Sequence, residues 1–148
     1  MDPITMAALA SAGFKVLGGI GGRKDAKINN GIQTLANEVN TNASKLEVES
    51  QYSNIFEEMT DRMNTQRAFL GDVDKASTVY QGTLAEHEKA FLKTEKNLEK
   101  DLKAIDRKGA MNKVNIGMNT QNAINQSNSS ITSGLTDAFI FTKFGGTK

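Results

Sequence analysis

The stretch LGDVD, Leu70 to Asp74, decides the fold. Gly71 can close one helix, and Asp72 or Asp74 can open the next by accepting hydrogen bonds from its first free amides. On either side of it the apolar residues keep helical spacing. Upstream, Ile28, Ile32, Leu35, Val39, Ala43 and Leu46 recur in steps of three and four. The phase slips near Val48 and resumes at Tyr52, Ile55, Phe56, Met59, Met63 and Leu70, which reads as one long helix with a stutter. Downstream, from Val73 to Lys108, Leu84, Phe91, Leu98 and Ile105 fall seven apart and Leu102 thickens the seam. So narrow a stripe suits a coiled coil or a helix on the outside of an assembly. The opposite face carries EKNLEKDLKAIDRK, with Glu99/Lys103 and Glu86/Lys89 spaced for ion pairs, and reads as a solvated face. Gly109 marks the next expected break.

Composition sets bounds on this picture. The chain has 148 residues, 38% of them hydrophobic and only 6% aromatic, with no Trp. That is thin material for a globular core and points to extended helices burying one stripe against partners. A net charge of +1 argues against a dedicated nucleic-acid binder, whose affinity rests on neutralising phosphates. The absence of Cys excludes disulfides and thiolate metal sites. The only Pro is Pro3, so nothing beyond it breaks a helix in that way.

Chemistry-bearing motifs are missing. GGIGGRKD, Gly18 to Asp25, lacks the Gly-Lys-Ser/Thr ending of a phosphate loop, and Lys24 takes the sixth position of a dinucleotide fingerprint. His87 is the single His and cannot build a zinc site without Cys or a second His. DVDKAST places Ala76 and Thr78 where a calcium loop needs oxygen ligands, and Ser77 where it needs Gly. Triplets at Asn42, Asn125 and Asn128 match the glycosylation pattern but mean little without a secretory route. No nucleophile has a neighbouring base. The expectation is a non-enzyme without a cofactor or metal.

The two ends differ from the middle. Ile4 to Gly22, ITMAALASAGFKVLGGIGG, has one charge, Lys15, with five Gly and four Ala. Asp2 precedes it and Arg23-Lys24 follow, the wrong way round for a secretory signal. As a helix of nineteen residues it is about 28 Å long, near the hydrocarbon thickness of a bilayer. Ala8 and Ala12, and Gly18 and Gly22, stand four apart, the spacing that lets helices approach closely in lipid. Phe14 and Leu17 add apolar bulk, and Lys15 can snorkel or face a water-filled pore. Five Gly weaken a permanent anchor, so a conditional membrane-active or assembly segment over 1–24 is expected. The body, 25–108, holds two long amphipathic helices. In 109–148, Asn112 to Ser133 has 14 of 22 residues as Asn, Gln, Ser or Thr, compatible with a polar helix among copies of itself or a disordered tract. Phe139, Phe141 and Phe144 near the end form a patch expected at an interface.

In layout, AALASAGFKVLGGIGG, the FLGDVDKAS break and NTQNAINQSNSSITSGLTDAFIF resemble the smaller internal virion proteins of short-tailed bacteriophages, the DNA-ejection proteins. The resemblance covers most of the chain and carries no diagnostic motif. It implies many copies that leave the virion interior or tail ahead of the DNA. They would assemble with other ejection proteins in the host cell envelope, at the outer membrane or periplasm. The conduit would pass double-stranded DNA without reading its sequence. The fold expected is all-α: long amphipathic helices in a helical hairpin or coiled-coil-like arrangement, with an apolar Gly/Ala-rich N-terminal helix, assembling into a homo-oligomeric ring or tube. Ala8, Ala12, Phe14, Lys15, Leu17, Gly18 and Gly22 would form the membrane or pore segment. Leu84, Phe91, Leu98, Leu102, Ile105, Phe139, Phe141 and Phe144 would form the oligomer seam. Two rival classes are a static helical virion or tail adaptor, and a cellular secreted pore-forming translocon subunit.

Overall fold

The computed structural model describes the backbone of residues 3–71, 73–75 and 77–144, and within these the side chains of Lys15 and of residues 18–71, 73–75 and 77–139. Two helices make the fold, α1 at Pro3–Phe69 and α2 at Thr78–Phe144, and no strand occurs among the described residues. Pro3 occupies the first helical position, where its missing N–H costs nothing. The chain is therefore all-α, as its periodicity requires.

The junction differs from expectation in its details. Gly71 does not adopt the left-handed conformation of a glycine cap. Instead α1 ends in a tightened turn, with the Gly71 N–H donating to the Ala68 carbonyl at 3.3 Å. The second helix opens five residues later than Val73. Its cap is Ser77, whose Oγ accepts from the Tyr80 N–H at 3.2 Å while its own N–H donates to the Asp74 carbonyl at 2.9 Å. Gly109 breaks nothing. It is buried inside α2, and a Cβ there would lie 2.7 Å from Thr41 Oγ1. That glycine serves close helix approach.

The structure divides into two compact units, residues 1–37 with 111–148, and residues 38–110. This division follows pairing between helices and cuts across the compositional segments 1–24, 25–108 and 109–148. Within each unit α1 and α2 run antiparallel. Asn30 Nδ2 donates to Thr120 Oγ1 at 2.7 Å in the first, and Tyr52 Oη donates to Asp101 Oδ2 at 2.6 Å in the second.

The covered positions of α1 are Ala26, Asn30, Thr34, Asn37, Thr41, Lys45, Val48, Tyr52, Phe56, Met59 and Met63. They advance 4-4-3, eleven residues in three turns, or about 3.67 per turn, wider than the 3.5 of a left-handed coiled coil. This register runs through Val48 without a slip. The apparent stutter is a change of face. Up to Leu46 the large apolar residues lie on the outside of α1, and from Val48 onward Val48, Phe56, Met59 and Met63 lie on the covered side while Ile55 and Phe69 stay exposed. Ile32, Leu35 and Leu46 are 62%, 63% and 66% exposed.

Candidate functional site

In the first unit, α1 meets α2 through small and polar residues, and α2 brings half-buried Ile116, Ile124 and Ile131 as well as polar residues. Gly19 is buried, and a Cβ there would meet Ile131 Cγ1 at 2.5 Å and the Ser127 carbonyl at 2.7 Å. Gly22 meets the Ser127 hydroxyl in the same way, at 2.6 Å. Gly18, the partner expected from four-residue spacing, faces open space. Further along, Asn30, Thr34 and Asn37 turn towards α2, while Thr120, Ser127 and Asn128 turn towards α1. Asn128 Oδ1 is buried with no hydrogen-bond partner, a cost of about 1–3 kcal/mol for a polar group left unpaired. Six large apolar residues of the same unit, Ile28, Ile32, Leu35, Met111, Val114 and Met118, are more than half exposed.

Lys15 does not stand alone as the sequence suggested. Its ammonium lies 2.6 Å from Asp137 Oδ2, both side chains about half exposed (49% and 45%). The antiparallel pairing brings these two together across 122 residues of chain. Beside the pair an open groove of about 470 Å³ is lined by Lys15, Gly18, Gly22, Gln126, Ser127 and Ser130. It exists because the glycines of α1 project nothing into it. The side chains of Ala8, Ala12, Phe14 and Leu17 lie outside the described residues, as do those of Phe141 and Phe144. Phe139 is 58% exposed.

The second unit packs by contrast with apolar and aromatic side chains. Phe56 stacks on Phe91, with ring centroids 5.8 Å apart and planes 17° from parallel. Leu84, Phe91, Leu98, Leu102 and Ile105 are half-buried on the side of α2 that faces α1. The spacing of seven thus marks the hairpin's own seam, and part of each side chain stays open to another neighbour. His87 belongs to the same row and contacts Gln66 Oε1 through Nε2. Tyr52 donates to the Asp101 carboxylate, which raises its phenol above the ordinary value, with burial and the negative charge adding to the effect. Lys45 pairs with Asp106. On the surface of α2, the bond from Lys103 lowers the Glu99 carboxyl, whereas Glu86 and Lys89 form no ion pair among the described residues.

Among the described residues there is no group of His, Cys, Asp and Glu able to hold a metal ion. Nor is any helix there long and apolar enough to cross a membrane. The geometry offers surfaces for assembly. Sequence reading missed the contacts of Gly19 and Gly109, the pairing of Lys15 and the outward orientation of the Ile28–Leu46 stripe. A signal for the glycines was present in the absence of larger residues at covered positions of the eleven-residue register. No family model matches the chain, and neither a curated protein nor a solved structure matches it.

Proposed function

We propose that the chain is one subunit of a multi-copy assembly that forms part of a conduit across a host cell envelope for viral genome delivery. The observation that carries this reading is the inverted hairpin of the first unit. On α1 its contact is Gly19, Gly22, Ala26, Asn30, Thr34 and Asn37, met by Ser127, Thr120 and three half-buried isoleucines of α2, while Ile28, Ile32, Leu35, Met111, Val114 and Met118 are presented outward. Ala26 is the buried apolar side chain among the described residues, so a single hairpin buries too little to be stable on its own. Exposed apolar rows of this kind are covered in use, by other copies, other ejection proteins or lipid. Lys15 enters the assembly with Asp137 beside it, and a paired ammonium is cheaper than a lone one at the edge of a membrane. Passing DNA would be held by charge alone.

The test is dye release from liposomes by the purified full chain, alongside a variant lacking residues 4–22. Release by the first and none by the second supports the reading; equal release, or none from either, refutes the membrane role. A second reading is a helical virion or tail adaptor that stays in the particle. It is favoured by the finding that no described helix is long and apolar enough to cross a membrane. Recovery of the protein only from spent particles after infection would select it.

A further inference from the structure

On both helices of the second unit, the residues two places beyond the covered positions form a second row. Two residues is about 200° of helix, so this row lies on the side away from the partner helix. On α1 the covered positions Lys45, Val48, Tyr52, Phe56 and Met59 give an outer row of Glu47, Ser50, Asn54, Glu58 and Asp61, with Glu57 beside it. On α2 the covered positions Leu84, His87, Phe91, Thr94, Leu98, Leu102 and Ile105 give Glu86, Lys89, Lys93, Lys96, Lys100, Ala104 and Arg107, five of the seven cationic, with Lys103 beside them. Every residue in both outer rows is exposed. One edge of the unit is therefore acidic and the opposite edge basic. Glu58 has a long 3.9 Å contact with Arg62, and Lys103 is engaged by Glu99. Glu47, Glu57, Asp61, Lys89, Lys93, Lys96, Lys100 and Arg107 form no ion pair among the described residues.

The two rows also match in height. Phe56 stacks on Phe91, Met59 meets Thr94 and Gln66 meets His87, which fixes the levels of α1 against α2. Asp61 then lies level with Lys89, Glu57 and Glu58 with Lys93 and Lys96, and Glu47 with Lys103. A second hairpin placed alongside without axial shift sets each carboxylate of its α1 against a cation of the first copy's α2. An open groove of about 470 Å³ runs beside the basic row, floored by Ala85 and Leu92 and walled by the stems of Lys89, Lys93 and Lys96, with Glu88 also in its lining. Long lysine stems cover apolar surface while their ammonium groups stay free to pair.

We infer that these edges are the two halves of one copy-to-copy interface, with the basic edge of α2 docking on the acidic edge of α1 in the next copy. The occupant of the lysine row is a second copy of this chain, because the complementary row is present on the same unit at the same levels. The contact is heterologous: it leaves one acidic and one basic edge free after each addition, so it propagates and closes into a ring when the rotation permits. This deepens the proposed assembly and rests on its claim that copies pack together.

Two charge-reversed full-length chains test it by sedimentation velocity without lipid or DNA. Lys93→Glu with Lys96→Glu reverses the charge at the middle of the basic edge, and Glu57→Lys with Asp61→Lys reverses it at the matching levels of the acidic edge. The wild type should self-associate at low ionic strength and dissociate as salt rises. Each reversed chain alone should associate at least about a hundredfold more weakly, since like charges now face each other. An equimolar mixture should assemble again, each supplying what the other lacks. Lys93→Gln with Lys96→Gln, which leaves the helix undisturbed, should weaken association in the same direction by a smaller factor. A monomeric wild type, or reversed chains that assemble like the wild type, or a mixture that stays apart, would each overturn the inference. In a separate binding measurement with duplex DNA or anionic vesicles, reversed lysines that lose only that binding and still self-associate would overturn it as well. The sedimentation assay contains no membrane, so failure of the conduit reading leaves its result standing.

Discussion

Alanine scanning of the glycines in the first unit separates helix propensity from helix approach. Gly31 and Gly117 have nothing within 4 Å of where a Cβ would stand. Replacing either by Ala removes backbone freedom from the unfolded chain and should stabilise by about 0.5–1 kcal/mol. Gly19→Ala gains the same amount and then pays for it. Its new methyl would sit 2.5 Å from Ile131 Cγ1 and 2.7 Å from the Ser127 carbonyl oxygen. Carbon atoms in contact prefer about 3.5–4.0 Å, so the helices must part by about 1 Å. The Ile131 side chain can rotate, but the Ser127 carbonyl belongs to the backbone of α2 and cannot. Overpacking of this sort costs about 1–3 kcal/mol, which outweighs the propensity gain. Gly19→Ala should therefore melt below the wild type and Gly117→Ala above it. At about 2–4 °C per kcal/mol for a chain of this size, the gap is several degrees by far-UV circular dichroism. Equal shifts for the two variants would show that α1 and α2 do not approach at Gly19, and the packing argument would fall with them.

Other perturbations address single contacts. Asp137→Asn should cost no more than about 0.5 kcal/mol in urea unfolding because the pair with Lys15 is half exposed, and exchanging the two charges should restore it. Phe91→Ala removes the stack on Phe56 and opens a gap in the seam, for a loss of about 1–3 kcal/mol, read by the same unfolding curve. Ser77→Ala deprives the Tyr80 amide of its acceptor and should cost about 1 kcal/mol. The Tyr52 phenol is raised in the folded chain, so its bond to Asp101 contributes below the ordinary tyrosine value and is lost as pH rises through the raised one. Absorbance titration should show Tyr52 ionising later than in an Asp101→Asn variant.

The helices were legible in the apolar spacing of Ile28 to Leu46 and Leu84 to Ile105, because a period of three to four residues has one structural meaning. The inward face of α1 was not. A stripe such as Ile28, Ile32, Leu35 and Val39 is ordinarily the buried one, and that inference assumes the chain covers its own apolar surface. Here glycine at positions 19 and 22 lets backbones meet, and the polar side becomes the contact. Leu84, Phe91, Leu98, Leu102 and Ile105 were legible as a seam, while their first partner, α1 of the same chain, was not, since spacing names a face and never its neighbour. Gly109 read as a break because glycine is a poor helix former. That rule is overridden where a partner such as Thr41 sits too close for any side chain. Ser77 was passed over in favour of Asp72 and Asp74, equally good capping residues a few positions upstream. The pairing of Lys15 with Asp137 spans the length of both helices and follows only from the antiparallel register.

The partly polar contact of the first unit has a thermal consequence. Exposing apolar surface raises heat capacity and exposing polar surface lowers it. Parting the first unit releases Asn30, Thr34, Thr120, Ser127 and Asn128 together with Ala26, Ile116, Ile124 and Ile131, a mixed surface. Parting Val48, Phe56 and Met59 from Phe91, Leu98 and Ile105 releases mostly apolar surface. Calorimetry should therefore give a smaller heat-capacity step for the first event than for the second. Cooling, which weakens apolar burial, should loosen the second unit's contact more than the first's.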